Sequence, residues 1–156
     1  DDAATYPNAT HVCEVEIDPE TGALTIARYV AAVDVGTLLN PMIVEGQVHG
    51  GVVQGLGQVL CEEMVYDDAG QPVTGSFMDY AMPRADDVCA LTVDHAPVPT
   101  AKNPLGVKGV GEAGTVGGLA AGLCAVSDAL ASAGVEAVLM PASPQNVWQA
   151  LRPPEA

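Results

Sequence analysis

Asn103-Pro-Leu-Gly-Val-Lys-Gly-Val-Gly-Glu-Ala-Gly-Thr-Val-Gly-Gly-Leu119 carries six glycines in seventeen residues, with a single carboxylate, Glu112, among them. Glycine takes positive φ readily and lets another group come close, so a run this dense reads as a loop shaped around a partner. Thr115 and then Leu119, Ala120, Ala121, Leu123, Cys124, Ala125, Val126, Ala129 and Leu130 follow at helical spacing. The pattern predicts a helix over 119–130, stopped by Ser132-Ala133-Gly134. Glu112 then lies just ahead of a helix N-terminus, where the dipole and the free N–H groups favour negative charge.

Gly109-Val110-Gly111-Glu112-Ala113-Gly114 also fits G-x-G-x-x-G, but that fingerprint has meaning only after a strand inside a βαβ unit. The residues ahead of it include Pro99 and Pro104, and proline cannot donate to a sheet ladder. No suitable acid follows, because Asp128 falls within the helical pattern. A nucleotide-binding module is therefore the weakest reading. By itself the loop could equally be a glycine-rich turn with a solvated Glu112.

Upstream, His11 to Ile17 sets Cys13, Val15 and Ile17 on one face and Glu14 and Glu16 on the other, while Leu24 to Val35 is rich in apolar residues. With the turn residues Asp18 to Gly22 between them, these segments predict an antiparallel hairpin with one wet face. His11 reads as a surface or strand-end residue. Asn40-Pro41 breaks the chain, and Ile43 to Met64 reads as a helix with Val44, Val48, Val52, Leu56, Val59 and Leu60 as its apolar stripe. Gly46, Gly50, Gly51, Gly55 and Gly57 lie in the same span, each costing about 1 kcal/mol relative to alanine. Such a helix makes sense only where another backbone or a flat ligand comes close. Gln47, Gln54 and Gln58 share one polar face, and His49 lies on another side as a packing or surface residue.

Tyr66 to Pro72 reads as a second turn, Val73 to Ala81 as a short strand or extended loop, and Arg84 as a salt-bridge or subunit-contact residue. Leu91 to His95 reads as a strand that delivers the chain to the glycine loop, and Glu136 to Met140 as another short strand. Ser143-Pro144 is a good start for a last helix, Gln145 to Leu151, with Pro153-Pro154 as its stop.

The 156 residues suit a single domain, 1–156. A net charge of −15 argues against nucleic acid or an anionic membrane as partner, since both need a cationic face. Cys13, Cys61, Cys89 and Cys124 are too scattered for a local zinc or iron–sulfur site and read as small buried apolar residues. No secretory segment and no apolar run of membrane-spanning length is expected, which gives a cytoplasmic location. The start at Asp1, almost directly before strand-like sequence, suggests a fragment or a split subunit.

Gly106 to Gly117 resembles a signature of the molybdenum hydroxylases, the xanthine dehydrogenase and aldehyde oxidase family. It resembles most the molybdenum-binding large subunit of the aerobic carbon monoxide dehydrogenase type. The likeness continues, in order and spacing, through Asn40 to Gln58, Leu60 to Glu63, Gly75 to Ala85, Met140-Pro141 and Val147-Trp148. It implies the C-terminal molybdopterin-binding part of a much longer catalytic subunit, an α+β domain with a mixed or antiparallel sheet and packed helices. It further implies that Gln47 contacts the pterin, that Lys108, Gly109, Val110 and Gly111 line the cofactor, and that Glu112 is the active-site base. A carboxylate serves as base when it is within hydrogen-bond reach and partly desolvated, which raises its pKa toward the working pH.

The implied cofactor is molybdenum-molybdopterin in its cytosine dinucleotide form. The pterin dithiolene holds the metal, so no residue here is a metal ligand. The implied partners are the N-terminal portion of the molybdenum subunit, an iron–sulfur subunit and an FAD subunit, in a higher-order oligomer. The implied reaction hydroxylates an aldehyde or N-heterocycle, or oxidises carbon monoxide, with water as oxygen source, the isolated chain being silent. The rival reading is a truncated copy that folds without cofactor and serves as a scaffold or assembly piece.

Overall fold

Asp18 opens the chain's first turn by accepting the Glu20 N–H at 2.9 Å and the Thr21 hydroxyl at 2.8 Å through its side chain. That turn joins β1 (Asn8–Ile17) to β2 (Leu24–Asp34) in the expected antiparallel hairpin. The computed structural model describes residues 4–152, so the proline stop at 153–154 lies outside the described residues. A bulge at Glu14/Val15 pairs Glu14 with Arg28 but Val15 with Ile26. The extra residue switches the inward parity of β2 from Ile26 to Tyr29, Ala31 and Val33, all of them buried.

β3 (Leu91–His95) lies beside β2 and runs parallel to it, giving a mixed sheet in the order β1-β2-β3. α1 (Pro41–Leu60) and α2 (Ala113–Ala131) pack with this sheet, and α3 (Pro144–Leu151) closes the described chain. Val48, Val52 and Leu56 of α1 bury with Ile26, Tyr29, Ala31 and Val33 in one cluster. Val59, Val126, Leu130, Ala142 and Val147 form a second cluster that joins α1, α2 and α3. The fold is α+β, as the patterning indicates.

A parallel glycine seam fastens the two long helices. A Cβ added at Gly51 would lie 2.8 Å from the Thr115 nitrogen, and one at Gly55 would lie 2.5 Å from the Leu119 nitrogen. From the other side, Gly114 faces the Val48 carbonyl at 2.5 Å, Gly118 faces Val52, and Gly122 faces Leu56. Contacts advance in the same direction along both chains, so the two N-termini lie at the same end. The expected close approach of a second backbone is met here by α2.

Four expectations need correction. α2 begins at Ala113 rather than 119, because packing of Gly114 and Gly118 into α1 outweighs their poor helix propensity. α1 ends at Leu60 rather than Met64, because the Cys61 and Glu62 N–H groups both turn back to the Gly57 carbonyl. Residues 136–140 form no strand; Val135 and Val138 instead pack their side chains onto the second core cluster. Finally, α2 is long and apolar enough to cross a membrane by length and composition. It packs one face against α1 and β1, burying Gly114, Gly118, Gly122, Val126 and Leu130.

Candidate functional site

Asn40 fixes the start of α1: its Oδ1 accepts the Ile43 N–H at 3.2 Å, and Pro41 occupies the first helical turn. Gln47 follows within the N-terminal half of α1, exposed, one residue before Val48. Because the Val48 carbonyl packs on Gly114, the seam brings Gln47 to the same end of the helix pair as Glu112. Glu112 is the residue that precedes α2, and its backbone carbonyl accepts the Val116 N–H at 3.2 Å. Its carboxylate makes no capping bond to the helix and is exposed.

The loop that reaches Glu112 is built onto the end of β2. Gly36 and Val107 form a bridge, the Lys108 N–H donates to the Val35 carbonyl at 2.9 Å, and the Thr37 N–H donates to the Gly106 carbonyl at 2.9 Å. Gly36 and Gly106 both take φ +68°, and a side chain at either would strike the opposing strand or loop. The Asn103 side chain clamps Val107 from both sides, donating to its carbonyl at 2.9 Å and accepting its N–H at 3.1 Å. Lys108, predicted beside the cofactor, sends its ammonium to Asp34 at 2.5 Å. Gly109 and Gly111 are exposed and Val110 is half-buried against the first core cluster.

Two contributors escaped the reading of the sequence. Asp34 is buried and accepts the Lys108 ammonium, the Val98 N–H and the Gly36 N–H, which together hold its carboxyl well below the usual carboxylate range. Its signal was the acid two residues before Gly36, at the end of an apolar strand. His11 is no surface residue: its ring lies against Gly117 of α2, and its Nδ1 meets the Tyr29 hydroxyl at 2.8 Å. Burial pulls its pKa down, opposed by the Ala113 backbone, although Nε2 lacks the geometry of a full hydrogen bond. On the polar face of α1, Gln54 accepts the Thr115 hydroxyl at 3.0 Å, while Gln58 stays exposed.

Four glycines around this end have no use within the chain. Gly46 and Gly50 flank Gln47, and Gly109 and Gly111 flank Val110; a Cβ at any of them would meet nothing within 4 Å. None of the four has positive φ. Gly75 shares these properties, in the irregular stretch after the second turn. In α1 the two open glycines sacrifice helix propensity without a packing return, which fits a backbone meant to be approached from outside. A cleft of about 630 Å³ lies at the opposite end of α1, against Leu60, Phe77, Tyr80 and Arg84. Arg84 there makes no ion pair among the described residues.

Residues 1–89 match the molybdopterin cofactor-binding domain family. The chain is 41% identical over 147 residues to the nicotine 6-hydroxylase large subunit of Paenarthrobacter nicotinovorans, covering 94% of this chain and 18% of that protein. It is 38% identical over 148 residues to the carbon monoxide dehydrogenase large chain of Hydrogenophaga pseudoflava, covering 95% of this chain and 18% of that one. Among solved structures, it superposes with a TM-score of 0.89 on a Cu,Mo-CO dehydrogenase, at 36% identity over 92% of this chain and 18% of the other. The TM-score is also 0.89 for quinoline 2-oxidoreductase from Pseudomonas putida 86, at 41% identity over 94% and 19%. The sequence therefore spans about a fifth of the length of these relatives.

Proposed function

The chain belongs to the molybdopterin cofactor-binding domain family, and we propose on that premise that it is the C-terminal part of the catalytic subunit of a molybdenum-dependent oxidoreductase. The observation that carries this reading is the set of open glycines beside Gln47 and Glu112, where an added Cβ would meet nothing within 4 Å. The residues fit a flat, polar cofactor: an amide side chain, a glycine-rich strip of backbone and a carboxylate converge on one end of the helix pair. The remaining part of the subunit supplies the opposite wall and the substrate pocket. The cofactor is the cytosine dinucleotide form of molybdenum-molybdopterin, and partner subunits carry the iron–sulfur clusters and FAD. The assembled enzyme works in the cytoplasm.

When bound, molybdenum-molybdopterin supplies a two-electron oxidant for a reaction that takes its oxygen from water. Gln47 holds the pterin through its amide, which can both donate and accept. The backbone of Lys108 to Gly111 lines the cofactor without side-chain obstruction at the two glycines. Glu112 would accept a proton from the water that supplies the oxygen for an aldehyde, an N-heterocycle or carbon monoxide. Its exposure in the chain alone gives way to a drier setting once the rest of the subunit covers it. Glu112→Gln keeps size and hydrogen bonding but removes the base. In the assembled enzyme turnover should fall by about 10² or more with molybdenum content unchanged; full turnover in that variant would refute the role of Glu112.

A further inference from the structure

Asp34 joins the two ends of the loop that leads to Glu112. Its Oδ1 accepts the Val98 N–H at the loop's entrance and the Gly36 N–H, both at 2.9 Å. Its Oδ2 accepts the Lys108 ammonium at 2.5 Å at the loop's exit, with the Asn8 side-chain amide at 3.5 Å. Lys108 and Asp34 are each only 12% exposed at the side chain. Immediately beyond Lys108 come Gly109 to Glu112, at whose two glycines an added Cβ would meet nothing, and then Gly114, locked against the Val48 carbonyl. Glu112 thus hangs on a short span between two fixed points. One point is the glycine seam; the other is the Asp34–Lys108 pair.

We propose that Asp34 is a positioning residue that sets the Lys108–Glu112 segment by holding the Lys108 ammonium; this rests on the reading of Glu112 as the base. An ammonium tied to a buried carboxylate is not free to serve a cofactor phosphate, so Lys108 contributes its backbone and not its charge. A charge-assisted bond between buried partners is stronger and shorter than a neutral one, which suits it to fix a glycine-rich span. Misplacing a reacting group by about 1 Å can cost about 10²-fold in rate.

The experiment compares Asp34→Asn, Lys108→Met, the double variant and Lys108→Arg in the complex purified from its host. Amide hydrogen exchange over residues 97–112 should rise in both single variants, no further in the double, and stay low in Lys108→Arg. In the same preparations kcat should fall roughly 10- to 100-fold in each single variant, with the double equal to either, and with KM and molybdenum content retained. Lys108→Met carries the comparison should Asp34→Asn not accumulate. Unchanged exchange would overturn the proposal, as would loss of molybdenum in Lys108→Met alone, which would make Lys108 a direct cofactor ligand. Raised exchange with intact kcat also overturns it. If Glu112→Gln still abolishes turnover in that case, only the positioning role falls; if Glu112→Gln is active too, the reading of Glu112 falls with it.

Discussion

Gly51, Gly55, Gly114, Gly118 and Gly122 are packed against the opposite helix, whereas Gly46, Gly50, Gly109 and Gly111 face open space. Both sets occur in the same two stretches of chain, 46–55 and 109–122, and Gly50 and Gly51 are adjacent. The first set lets two backbones meet and so determines how the helices lie. The second set does nothing for the fold and in α1 weakens it. The difference separates glycines that the packing of the two helices requires from glycines that no contact within the described residues requires.

Substitution by alanine turns that comparison into opposite signs. The largest effect is expected at Gly55, where a Cβ would lie 2.5 Å from the Leu119 nitrogen and 2.6 Å from the Thr115 oxygen. Both are backbone atoms of α2, so relief requires the helices to part. Gly55→Ala should lower stability by about 1–3 kcal/mol, read as a lower denaturation midpoint; an unchanged midpoint would dissolve the seam. Gly50→Ala should do the reverse, stabilising the chain by up to about 1 kcal/mol while reducing the molybdenum retained by the assembled complex. Stabilisation with full molybdenum content would remove Gly50 from the cofactor wall.

Acid sharpens the comparison by loosening one anchor and sparing the other. The Asp34 carboxyl is held below its ordinary range, first by Lys108 and then by the Val98 and Gly36 N–H groups. A depressed carboxyl contributes stability above its unfolded pKa, about 3.9, and that contribution is lost as pH falls through the folded value. Exchange over residues 97–108 should therefore be steady near neutrality and rise only below about pH 4, while the seam amides stay protected. Asp34→Asn should abolish that acid step. Smallest of all is Thr115→Val, which removes the hydroxyl donated to Gln54 at 3.0 Å on an exposed edge. Its effect on the denaturation midpoint should correspond to about 1 kcal/mol or less, and a larger loss would mean that this bond helps to hold the seam.

Much of the scaffold was legible because periodicity reports burial directly. The hairpin, the stripe from Val44 to Leu60 and the Ser143-Pro144 start all follow from local pattern and capping chemistry. The early start of α2 was not legible, because Gly114, Gly117 and Gly118 look like loop until Val48, Val52 and His11 are placed against them. The apparent strand at 136–140 misled for a related reason: an apolar run such as Ala137 to Met140 suits a strand but does not provide a ladder partner. At the candidate site, Gln47 and Glu112 could be named as candidates from the resemblance. The pairing of Asp34 with Lys108 could not, since 74 positions separate them and only the bridge between Gly36 and Val107 brings them together.

The most direct measurement is metal analysis with mass spectrometry of the complex recovered from the native host by means of this chain. The account predicts molybdenum together with a larger chain supplying the N-terminal portion of the catalytic subunit. A lone, metal-free chain would contradict it, leaving a truncated scaffold that keeps the open glycines without their cofactor.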